Sequence, residues 1–132
     1  MGMDVIGMQP DGPLGEGFRS GASSWEPLWR LCQAIAGSVI PKSNSGFFND
    51  GFAVTSVQSR KLAVALKSAL EGGTVEAFFI AYFKRMDADE GYREIDRYLK
   101  LEDGEAKRIA NLVEHSRAFA VFCRHCGGFA IH

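Results

Sequence analysis

Apolar residues recur at Val75, Phe78, Phe79, Tyr82, Phe83 and Met86, a spacing of i, i+3, i+4, i+7, i+8 and i+11. That period predicts an amphipathic helix capped by Thr74, with Gly72-Gly73 behind it and Asp87-Ala-Asp-Glu-Gly91 breaking it. Trp25, Leu28, Trp29, Cys32 and Ile35 keep the same period upstream. Ser23 and Glu26 fit a capping box for that first helix, Pro27 falls in its first turn, and Gly37 and Pro41 end it. Val57, Leu62, Leu66, Ala69 and Leu70 mark a second helix, capped by Thr55 or Ser56 and stopped at Gly72-Gly73. A weaker helix over 91–101 turns Tyr92, Ile95 and Leu99 inward. Asp103 caps a long last helix, 104–125, with the seam Ile109, Leu112, Val113, Ser116, Phe119, Ala120 and Cys123.

The strand signals are short and bounded by glycine: 2–7, 51–55 and 129–132. Gly51-Phe-Ala-Val and Gly128-Phe-Ala-Ile are nearly the same tetrapeptide, which predicts Phe52, Val54, Phe129 and Ile131 on one sheet face. Residues 8–22, rich in glycine and proline, read as a loop anchored by Phe18. The pattern predicts one α+β domain, residues 1–132, with four to five helices packed on a small sheet of two to three short strands.

Composition narrows the function classes. A chain of 132 residues with 46% apolar and 23% charged residues buries one core. A net charge of −1 gives no bulk attraction to nucleic acid or to an anionic membrane. The longest wholly apolar run, Ala77 to Phe83, is too short to span a bilayer, and Asp4 argues against a secretory leader. Three cysteines suit a reducing compartment, so the expected location is the cytoplasm.

Five groups of residues offer chemistry. Cys123-x-x-Cys126 supplies two of the four donors of a structural zinc site, with Cys32 and His132 left to complete it. His115 lies about 12 Å along the same helix from Cys123, and His125 points to another face. The favoured reading is packing, because Cys123 sits on an apolar seam; no cofactor is expected, with zinc as the alternative. Asn49-Asp50-Gly51 reads first as a tight turn and only second as a held carboxylate. Asp87, Asp89 and Glu90 lack the register of a calcium loop. Arg93, Arg97 and Lys100 make a basic stripe, but interleaved acids leave it near neutral, which argues against a nucleic-acid face. Trp25 and Trp29, one turn apart, with Phe47-Phe48 on a turn-rich stretch, are the strongest candidates for a partner surface. No nucleophile elbow, phosphate loop or paired-histidine metal motif is present, so a catalytic role is not expected.

Met1-Gly-Met-Asp-Val5, Gly15-Glu-Gly-Phe-Arg19, Trp25-Glu-Pro-Leu-Trp29, Asn49-Asp50-Gly51 and Cys123-Arg-His-Cys126-Gly together resemble a group of short uncharacterised bacteriophage and bacterial proteins. The resemblance covers the N-terminal half and the C-terminal end, and it implies a phage or prophage setting without a reaction. The expected function is therefore a non-enzymatic accessory factor that docks on a host or phage protein through Trp25, Trp29, Phe47 and Phe48, in one form an inhibitor of a host complex. A zinc- or ligand-binding domain at Cys123 and Cys126 is the alternative. A homodimer would cover any aromatic residues that the third helix leaves outside its own core.

Overall fold

The computed structural model describes residues 2–40, 45–47, 51–87 and 104–132. The expected helix at 91–101 with its basic stripe, the residues Asp89 and Glu90, the Asp103 cap, and Phe48, Asn49 and Asp50 lie outside the described residues. The elements are β1 (Gly2–Gly7), a 3-10 turn (Pro13–Gly15), β2 (Gly17–Gly21), α1 (Ala22–Ile35), β3 (Ala53–Val54), α2 (Ser56–Glu71), α3 (Thr74–Asp87), α4 (Gly104–His125) and β4 (Phe129–Ile131). The class is α+β, with four helices among the described residues and four strands in the antiparallel order β2-β1-β4-β3.

The strand count exceeds the expected two to three because β2 lies inside the segment read as loop. Gly17-Phe-Arg-Ser-Gly21 has too few apolar positions to announce a strand. It becomes one by pairing with β1, Val5 opposite Phe18 and Met3 opposite Ser20. The two echoing tetrapeptides do pair, Ala53 opposite Ala130 and Val54 opposite Phe129. Side chains alternate strictly across the sheet. Met3, Val5, Ser20, Val54, Phe129 and Ile131 are buried on one face, while Asp4, Ile6, Gly17, Arg19 and Ala53 are exposed on the other.

The described helices pack on the inner face, and α4 is the central one. Its seam is buried as expected at Ile109, Leu112, Ser116, Phe119, Ala120 and Cys123, and Phe122 is buried too. The stripe is broad because one flank meets α2 while the other meets the sheet, where Phe122 lies 6.0 Å from Phe18 and 5.9 Å from Phe129. Each such aromatic stabilises the fold by roughly 1.5–3 kcal/mol on burial. Thr55 does cap α2, in a reciprocal box with Gln58. The box expected at Ser23 and Glu26 is absent: β2 runs directly into α1, so Gly21 is the N-cap and makes no side-chain hydrogen bond.

Candidate functional site

The two indoles expected at a contact surface are core residues. Trp25 and Trp29 are fully enclosed, stacked on each other at 5.4 Å between centroids, and Trp25 meets the edge of Phe119. Trp25 Nε1 donates to the Gly46 carbonyl at 2.6 Å, and Trp29 Nε1 donates to the Ser45 carbonyl at 3.0 Å. Gly46 sits at φ +90°, and a Cβ there would collide with the Trp29 ring. The indoles therefore grip the 45–47 turn from inside, which leaves them nothing to offer a partner. Phe47 is half-buried against the core with the Arg30 guanidinium 4.9 Å from its ring centre.

The three thiols converge, but as packing. Cys32, Cys123 and Cys126 are all free and buried. Burial pushes the Cys32 and Cys123 thiols far up, and Cys126 upward as well, which disfavours a free thiolate nucleophile. Ser59 Oγ donates to the Cys123 carbonyl at 3.0 Å, and the Cys126 thiol lies 3.5 Å from Ser59 Oγ. His132 follows the buried Ile131 and so belongs to the opposite face of the sheet. The four-donor zinc set of Cys32, Cys123, Cys126 and His132 is thus not assembled, and no cluster of metal-type donors occurs among the described residues. His125 is engaged elsewhere: its Nδ1–H donates to Asp11 Oδ1 at 2.8 Å and ties the 8–15 segment to the end of α4.

Sequence reasoning missed a cleft of about 300 Å³ beside the start of α1, of mixed polar and apolar lining: Ser23, Ser24, Phe83, Arg108, Asn111, Leu112 and His115. His115 Nε2 lies 2.9 Å from Ser20 Oγ, and Ser20 Oγ donates to the Gly21 carbonyl at 3.2 Å. Ser20 itself is enclosed. Burial also holds His115 below its usual pKa. Ser23, Ser24, Arg108, Asn111 and His115 supply its polar lining.

Among the described residues, the outer sheet surface has no element laid over it. Across the four strands one row reads Gly17, Ile6, Ala130, Ala53, and the next places Arg19 beside Asp4. Ile6 is 49% exposed at the centre of the first row. Met8 and Leu14, in the 8–15 segment that follows β1, are exposed as well. That segment is fixed by hydrogen bonds from Met8 N–H to the Gly128 carbonyl and from Gln9 N–H to the Cys126 carbonyl. The only sequence signal for this surface is the polar-apolar alternation of β1 itself. Comparison with protein-family models, with curated proteins and with solved structures finds no match to this chain.

Proposed function

We propose that this chain is a non-enzymatic, cytoplasmic protein-binding factor that docks one protein partner on the uncovered face of its sheet. The carrying observation is that face: Ile6, half exposed, stands between Gly17, Ala130 and Ala53, with no element of the described chain laid over it. The side chains that suggested other chemistry support the reading by their burial, because the thiols and Ser20 are packing groups. The phage or prophage setting comes from the resemblance of the N-terminal segments and of the C-terminal Cys123-x-x-Cys126-Gly end, and inhibition of a host complex is one form such docking takes. No helix among the described residues is long and apolar enough to cross a membrane. The α3 aromatics that motivated a homodimer are largely taken into the core, with Val75, Phe79, Tyr82 and Phe83 buried and Phe78 partly so.

The test is site-specific capture from host lysate. Ile6→Arg should lose the partner that the parent retains, while Val64→Arg, at an exposed position of α2, should keep it. Identical recovery by all three proteins overturns the assignment of the face.

A further inference from the structure

The edge of the same sheet says how a partner is held. In the β1–β2 pair, Gly7 N–H donates to the Glu16 carbonyl. Bonded pairs alternate from there, so Val5 with Phe18 and Met3 with Ser20 exchange the ladder bonds. The backbone groups of Gly17 and Arg19, and the N–H of Gly21, therefore point away from β1. β2 is the terminal strand of the sheet, and no further strand pairs with it among the described residues. Edge strands are commonly blunted by proline, by a bulge, by extreme shortness or by charged side chains. β2 has five residues in regular register with β1 and no proline, whereas the opposite edge, β3, has only two residues. Arg19 is the one charged side chain on β2; it is 82% exposed, and its ion pair with Asp4, at 3.6 Å, is an open surface contact.

We propose that β2 is a strand-addition site for an extended acidic segment of the partner, with a carboxylate opposite Arg19 and an apolar side chain opposite Gly17. Gly17 has no side chain to block the way, so the apolar group lies across it toward Ile6, its direct neighbour on β1. The residue between these two points to the other face, where Ser20 and the His115 cleft border the strand. Main-chain bonds supply the hold, and the alternate side chains supply the choice of partner. A second copy of this chain is a poorer occupant, because the two-fold register centred on β2 sets Arg19 against Arg19. The inference rests on the protein-binding reading and specifies its chemistry.

The probe is a soluble alternating peptide with an Asp-x-Leu core, compared with its Lys-x-Leu counterpart and with an Asp-x-Leu peptide N-methylated on its bonding edge. Binding is read from amide exchange and amide chemical shifts. The acidic peptide should bind about tenfold more tightly than the lysine peptide, given one attractive contact exchanged for a repulsive one. It should also slow exchange at the Gly17, Arg19 and Gly21 amides, and N-methylation should abolish binding. Arg19→Glu, a change on an exposed side chain, should invert the preference. Equal binding of the acidic and lysine peptides, an undiminished N-methyl peptide, or protection away from β2 overturns strand addition. If the Ile6→Arg protein has meanwhile lost its partner, the docking face stands and only the mode of attachment fails.

Discussion

Replacing Trp25 by Phe removes one hydrogen bond and a limited volume while keeping an aromatic ring in place. The ring is fully enclosed between Trp29 and Phe119, and its N–H reaches the Gly46 carbonyl at 2.6 Å. Phe has no N–H, so that carbonyl loses its partner in a dry site, at a cost of about 1–3 kcal/mol. The side chain also shrinks by roughly 40 Å³, which at about 24 cal/mol per Å³ of residual cavity adds about 1 kcal/mol. Trp25→Phe should therefore destabilise the chain by about 2–4 kcal/mol, a large fraction of the roughly 5–15 kcal/mol that holds a domain together. Urea unfolding followed by far-ultraviolet circular dichroism measures it without relying on the altered fluorophore. Val64→Ala, on the exposed side of α2, serves as the reference and should stay within about 0.5 kcal/mol of the parent. A Trp25→Phe loss no larger than that of Val64→Ala would refute the assignment of this indole as an internal clamp.

Two further outcomes follow from the buried titratable groups. Because burial lowers the His115 pKa in the folded chain, the unfolded chain takes up the proton first as pH falls. Stability is fully present above the unfolded value of about 6.5 and is lost as pH drops through it toward the lower folded value. His115→Gln should flatten the change in urea midpoint between about pH 7.5 and 5.5, and a change as steep as the parent's would remove His115 as its source. The three buried thiols should resist a disulfide reagent at about pH 8 in the folded state and all react in urea. Rapid labelling of any thiol in native protein contradicts its enclosure.

The helices were legible because their signal is local. The α3 and α4 seams repeat at 3.6 residues over several turns, and Thr55 with Gln58 announces the start of α2 within four positions. β2 was not legible, since one of its two inward positions is Ser20, a polar residue whose partner, His115, stands 95 positions downstream. The indoles show a different limit. Spacing places Trp25 and Trp29 on one helix face, but whether that face turns inward depends on carbonyls 21 and 16 positions away in a segment with no periodicity. The packing role of Cys123 was readable from its seam position, whereas its approach to Ser59 was not. The open sheet face escaped notice because a solvated strand and a docking strand share one alternating pattern.

The middle of the sheet joins residues from opposite ends of the described chain, with Val5 opposite Ile131 and hydrogen bonds in both directions between Asp4 and His132. During synthesis the β1–β2 hairpin leaves the ribosome long before Phe129–Ile131 exist to complete it, and a lone two-stranded hairpin is marginal in water. The helices can form as they emerge, but the sheet must wait, and closing so long a loop slows the final step. Until that closure the inward side of β1, with Met3 and Val5, lacks the cover that the completed sheet gives it.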